Sequence, residues 1–172
     1  MMSKKIILDS QDYIFQQGAY GRVFCTKMTL ENIDNYDEEA RAIKVFLNLG
    51  DKPEEHVKKV FESEVKAYMT LAKNENLKRY IPKFHGKVLV EKIIDINGND
   101  ISDLFFLDLA YEMEYIEGNF VKYGRNYDTC NVLKSFIDIG VHDVKDCSAI
   151  LNNKNKPTKI IDFAMEEFEL YH

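Results

Sequence analysis

Four stretches of the chain alternate between apolar and polar residues, or run apolar, in the manner of β-strands: 13–29, 40–47, 84–96 and 104–116, each bounded by turn-forming residues. The first, IFQQGAYGRVF in its middle, contains Gly18 and Gly21, and glycine weakens a strand unless the backbone turns or is closely approached there. Folded back at those glycines, the four stretches predict about five strands. Between the second and third stretches the period changes. Val57, Val60, Phe61, Val65 and Tyr68 recur at helical spacing, with Asp51 placed to cap, Pro53 in the first turn, and Glu54 and Glu55 where the helix dipole favours acid. A second helix is predicted over 128–139, with Val132, Leu133, Phe136 and Ile137 on one face. DINGND at 95–100 predicts a hairpin turn from its Asn-Gly pair; its misplaced glycine and missing twelfth-position glutamate disfavour a calcium loop. Two short apolar stretches, 149–151 and 159–161, flank the polar turn NNKNKPT.

Composition narrows the classes. With 172 residues, 45% of them hydrophobic and 12% aromatic, the chain can bury a sizeable core as one domain or two small lobes. A net charge of −6 disfavours nucleic acid and anionic membrane as partners, because both require a basic surface. Cys25, Cys130 and Cys147 are odd in number and contain no CxxC pair, so a reducing, cytoplasmic compartment is expected and a disulfide framework is not. His56, His85, His142 and His172 show no zinc-type spacing with them. The apolar run in MMSKKIILDS is too short for the core of an export signal, and no stretch is long enough to span a membrane.

Candidate chemistry begins at Lys44. In RAIKVF the strand period puts Ala42, Lys44 and Phe46 on one face and Ile43 and Val45 on the other, so both faces are expected to be covered. A lysine there either meets an anion or snorkels past the strand edge. Glu64 falls three or four residues from Val60, Phe61 and Tyr68 and so faces the apolar side of the first helix, whereas Glu62 has Lys58 and Lys66 at i−4 and i+4 and reads as a solvated ion pair. The inward lysine is the natural match for the inward glutamate. Asp162 follows the apolar strand of KIIDFA and could hold a metal ion; Asp143, in GVHDVKD, could accept a proton. Either could also be an ordinary turn aspartate.

In order along the chain, a glycine-rich turn, an AIK lysine, a helix glutamate twenty residues later, the strand MEYIEG, a loop HD and a final DF together resemble the protein kinase fold over nearly the whole sequence. The resemblance implies an α+β, kinase-like architecture: a five-stranded antiparallel N-lobe sheet with one αC-type helix at 1–116, and a severely reduced helical C-lobe at 117–172. It implies ATP and Mg2+ as cofactors. Gly18, Gly21 and Val23 would belong to the phosphate-binding turn and the strand after it, with Val23 and Ala42 above the adenine. Lys44 would hold the α- and β-phosphates and Glu64 would orient it. Met113 falls at the gatekeeper position, the carbonyl of Glu114 and the amide of Ile116 would bond the adenine edge, and Ile150 or Leu151 would close the pocket. Asp143 would be the catalytic aspartate, Lys145 the catalytic-loop lysine of serine/threonine kinases, and Asp162 the magnesium ligand.

The departures are specific. Gln16 stands where the first glycine of the triplet is usual, HRD is VHD, and DFG is DFA at Ala164. Ser148, or Ala149 with a one-residue insertion, takes the place of the asparagine that holds a second metal. Only ten residues follow Asp162, which resembles the miniature kinases of bacterial effectors and viruses that lack an activation segment and can work inside a host cell. The expected function is a minimal serine/threonine protein kinase with a protein substrate. The alternative is a pseudokinase serving as a nucleotide-binding or decoy module, and a small-molecule kinase fits less well because that type carries a longer helical lobe. An activating partner or a second copy is expected on the helix over 128–139, unless the tail, where Met165, Phe168 and Tyr171 fall at helical spacing, covers it.

Overall fold

The computed structural model describes residues 6–15, 19–26 and 40–168. The chain is α+β, and its contacts divide it into two units: Met1–Phe61 with His85–Tyr115, and Glu62–Phe84 with Ile116–Leu170. The second boundary lies at Tyr115/Ile116, and 62–84 belong with the C-terminal unit.

In the first unit, β2 (Tyr13–Phe15), β3 (Gly21–Cys25), β4 (Arg41–Leu47), β7 (Phe105–Glu114) and β5 (Phe84–Val88) lie side by side in that order. The pairs β2–β3, β3–β4 and β4–β7 are antiparallel. Both faces of β4 are covered. Ile43 and Val45 pack with Phe24, Phe105 and Ala110, and with Ile6, Leu8, Val90 and Ile93 from a second, two-stranded sheet. That sheet pairs β1 (Ile6–Asp9) in parallel with β6 (Val90–Ile94). On the opposite face the Phe46 ring meets Phe61 and Tyr111, with centroids 5.5 and 6.5 Å away.

The expected single strand over 84–96 is therefore two. The chain breaks at the exposed Leu89, because β5 completes the large sheet while Val90 and Ile93 are drawn to the core with β1. Residues 95–100 do form a turn: the Asp95 carboxylate accepts from the Asn97 and Asn99 amides, both at 2.8 Å, and Ile94 bridges Asp100. It closes a short antiparallel bridge, with the Asp95 amide donating to the Asn99 carbonyl at 2.8 Å and the Ile101 amide to the Ile93 carbonyl at 2.9 Å, beyond which β6 pairs with β1 and β7 with β4.

Helix α1 (Glu54–Ala72) buries Val57, Phe61, Val65 and Tyr68 and leaves Val60 half-buried. It starts three residues after the expected cap: the Pro53 carbonyl accepts from the Val57 amide, and the Asp51 carboxylate pairs with the Lys52 ammonium at 2.8 Å. Proline leaves no N–H to satisfy at that end, so a side-chain cap further back is not needed.

In the second unit β10 (Pro157–Ile161), β9 (Ser148–Leu151) and β8 (Val121–Lys122) form an antiparallel sheet. Helix α2 (Tyr127–Asp138) is capped by the Asn126 side chain, which accepts from the Thr129 amide at 2.9 Å. Its buried stripe runs Thr129, Leu133, Phe136; Ile137, expected on that stripe, is 40% exposed. The tail forms no helix over 162–168. Its backbone is taken instead by Asp143 and by α1, as Ala164 and Asp143 exchange amide bonds and the Met165 amide donates to the Ser63 carbonyl at 3.2 Å. Phe163 fills the place expected for helical cover, 4.4 Å from the Tyr68 ring and 5.6 Å from that of Phe136. Tyr171 lies outside the described residues. Among the described residues no helix is long and apolar enough to cross a membrane.

Candidate functional site

Lys44 occupies the middle of β4, opposite Val23 on β3 and Tyr111 on β7. It is half-buried, with its ammonium 5.0 Å from the centre of the Phe46 ring, a cation–π contact. Its stem lies against Gly21. A Cβ on Gly21 would stand 3.0 Å from Lys44 Cε, 3.3 Å from its Cγ and 3.0 Å from the Val45 carbonyl oxygen. A side chain at 21 would thus collide with both the lysine and the strand backbone, which is a physical reason for glycine there before any ligand is considered. Gly18, the other glycine singled out, lies outside the described residues, as does Gln16.

Ala42 is buried directly opposite Met113, which is also buried; on the other side of β4, Val23 is half-buried opposite Lys44. Glu114 stands opposite Arg41 and is half-buried, and the next residue, Tyr115, donates its amide to the Ala40 carbonyl at 3.0 Å. Arg41 and Glu112 form a buried ion pair at 3.6 Å that sequence analysis did not single out. Its signal was available: each is a charge next to apolar residues of its strand, Arg41 before Ala42 and Ile43 and Glu112 between Tyr111 and Met113, as Lys44 is.

In the second unit Glu64 is buried, at 8% exposure, and Glu62 is exposed, the inward and outward assignments expected from helical spacing. One turn further, Tyr68 is buried completely. Its phenol is pushed well above the ordinary tyrosine range by that burial first, then by the negative charges of Asp162 and Glu64, with a backbone hydrogen bond from Asp162 opposing. Two carboxylates remote in sequence therefore act on one hydroxyl.

Asp162 follows β10 with φ of +70°, the left-handed region, and its side chain is exposed. Aspartate enters that region more readily than most residues, at a cost of about 1 kcal/mol or less, and such strain concentrates at functional sites. Two residues on, the Asp143 amide donates to the Ala164 carbonyl at 3.1 Å and the Ala164 amide returns a bond of 3.0 Å, so the two aspartates are held by one short stretch of backbone. Burial raises the carboxyl of Asp143 above the usual range; Lys145 pulls it down, and Glu167 and Asp146 push it further up. Lys145 is exposed and ion-paired with Glu167, which raises its own ammonium pKa. The Cys147 thiol, buried beside these groups, is pushed far up by desolvation and then by Asp162 and Asp143. Ser148 is buried at the start of β9, opposite Ile161 and Lys122. Ile150 is half-buried and packs over Gly118, where a Cβ would approach its Cδ1 to 2.8 Å; Ile116 is half-buried.

Tyr68 reads in the sequence only as core, and Glu167, like Arg41 and Glu112, is not singled out there. Chemically the second unit offers a half-buried carboxylate able to take a proton, a cation beside it, and an exposed carboxylate on strained backbone. Among the described residues no group of three or more His, Cys, Asp or Glu side chains is arranged to hold a metal. Magnesium is commonly held by one or two carboxylates together with substrate phosphates and water, so the hard oxygens of Asp162 fit that ion without a larger cluster. No protein-family model matches the chain, and no curated protein or solved structure matches it either.

Proposed function

We propose that the protein is an ATP- and magnesium-dependent serine/threonine protein kinase, built as a kinase-like N-lobe sheet with one αC-type helix and a reduced C-lobe. One observation carries this: Glu64, Asp143 and Asp162, three acidic residues singled out along some hundred positions, gather within the second unit around Tyr68 and the Asp143–Ala164 bridge. The strained backbone of Asp162 adds support, as does the lysine of β4 laid along Gly21.

In this mechanism Lys44 binds the α- and β-phosphates, Glu64 is assigned to orient it, and the adenine contacts are those given by the resemblance. Asp143 orients the substrate hydroxyl and accepts its proton as the oxygen attacks the γ-phosphorus, while Lys145 balances charge on the phosphoryl group in transfer. Asp162 would hold magnesium, with Ser148 at the second metal position; the ion supplies charge neutralisation on the phosphates. A protein substrate, and an activating partner or second copy on α2 near the exposed Ile137, belong to the same proposal.

The test is phosphate transfer from labelled ATP with magnesium, to the protein itself, to casein and to a cell lysate, beside Lys44→Ala and Asp143→Asn. Transfer is expected to fall by about 10^2- to 10^4-fold in Asp143→Asn with the fold retained. Label surviving undiminished in both variants sinks the proposal. A pseudokinase is favoured by one observation, the Lys145 ammonium already occupied by Glu167, and predicts a thermal shift with ATP but no labelled product.

A further inference from the structure

The trailing arm of the glycine turn is fastened to the segment that opens α1. Tyr20 Oη and His56 Nε2 share a hydrogen bond of 2.9 Å, with the rings 5.8 Å apart. Lys52 Nζ donates to the Ala19 carbonyl at 3.3 Å, lies 5.2 Å from the centre of the Tyr20 ring and pairs with Asp51, so that its side chain is only 14% exposed. Behind the turn the Tyr20 carbonyl accepts from the Leu47 amide at 2.8 Å, and Gly21 presses on the Lys44 stem. Displacing Tyr20 therefore shifts the surface on which Lys44 rests. The contacts of the Tyr20, Lys52 and His56 side chains lie outside the backbone ladder of the sheet.

We propose that Tyr20, Lys52 and His56 form a clasp that fixes the glycine turn against Lys44 and act as positioning residues for a nucleoside triphosphate's polyphosphate; the ligand rests on the kinase proposal above. A turn rich in glycine samples many conformations. Holding its arm at 19–21 in place before the ligand arrives removes part of the ordering cost from binding.

The experiment compares Tyr20→Phe, which keeps the ring but loses the hydroxyl, and Lys52→Met, which keeps the stem but loses the ammonium. Amide hydrogen exchange is read on peptides spanning 19–25, with peptides from β4 and the middle of α1 as the folding control. ATP affinity, KM and kcat are measured on the same samples. Each variant is expected to speed exchange in the turn by about 2- to 10-fold, the worth of one or two hydrogen bonds. It should weaken ATP binding and raise KM for ATP by a similar factor, leave kcat within about twofold and leave the control peptides unchanged. Unaltered exchange in the turn in both variants overturns the clasp, even if wild type binds ATP. Faster exchange in a protein whose wild type binds no ATP upholds the fastening but overturns its polyphosphate role and the kinase proposal together.

Discussion

Lys44 and Asp162 are held in place by different forces. The lysine stands on a strand whose neighbours, Ile43, Val45 and Phe46, are buried on both faces of the sheet, so its position is set by a large area of apolar contact. The aspartate stands on irregular backbone fixed by a few hydrogen bonds: Ala164 to Asp143, the His142 amide to the Met165 carbonyl at 3.1 Å, and the Glu166 amide to the Ser63 hydroxyl at 3.1 Å. Phe163 anchors that stretch against Tyr68 and Phe136. Packing over an area resists any one change outside it; a stretch held by discrete bonds can be reset locally at small cost. The first arrangement suits a fixed charge and the second suits groups that adjust to a ligand.

The comparison breaks most visibly at Phe46. Phe46→Ala should destabilise the protein by about 3–5 kcal/mol, because it empties the space against Phe61 and Tyr111 and removes the ring under the Lys44 ammonium. Denaturant midpoints check this, and a loss under about 1 kcal/mol would mean that packing does not hold β4. Ser63→Ala, removing the hydroxyl that accepts from the Glu166 amide and donates to its carbonyl, should cost only about 1 kcal/mol. Hydrogen exchange should locate that loss at 163–168. Asp162→Gly sharpens the contrast in the other direction. Relief of the left-handed backbone should raise stability by up to about 1 kcal/mol while phosphate transfer disappears. A melting temperature that falls instead would remove the evidence for strain at this position.

Legibility in the sequence divides along the same line. Alternation in RAIKVF put Lys44 on a strand with both faces covered, and helical spacing separated inward Glu64 from outward Glu62; in both cases regular geometry turns residue order into direction. The parallel pairing of β1 with β6 was not visible, because it joins residues some eighty positions apart and no local pattern announces a partner at that distance. Nor was the fate of the tail. Met165, Phe168 and Tyr171 carry a helical period, but the backbone amides of 164–166 bond to Asp143 and Ser63, and tertiary hydrogen bonds override a weak local preference. Asp162 takes its left-handed conformation beside the anchored backbone of 163–166, and aspartate enters that region more readily than most residues. Asp143 and Asp162 could be named from their motifs, but the residue that joins them, Ala164, stands in the sequence only as a missing glycine.

The smallest effect tests the electrostatics of that joined pair. Asp143 is raised above 3.8 by burial, by Glu167 and by Asp146, so as pH falls it takes up its proton earlier than an ordinary aspartate. The acid limb of the pH–activity profile should therefore lie above the usual aspartate range. Glu167→Gln removes one of the raising charges and releases Lys145, whose attraction lowers the same carboxyl. The limb should then move to lower pH, with the plateau rate little changed. Stability has its own sign. Because the folded value exceeds the unfolded one, the ionised carboxylate opposes folding at neutral pH, and that cost fades as pH falls through the folded value and is absent below the unfolded one. Asp143→Asn should accordingly raise the melting temperature at pH 7 more than at a pH below 3.8, where both forms are neutral. A limb that stays fixed or moves upward in Glu167→Gln would separate the tail from Asp143 and leave the ion pair with Lys145 as a surface contact of little consequence.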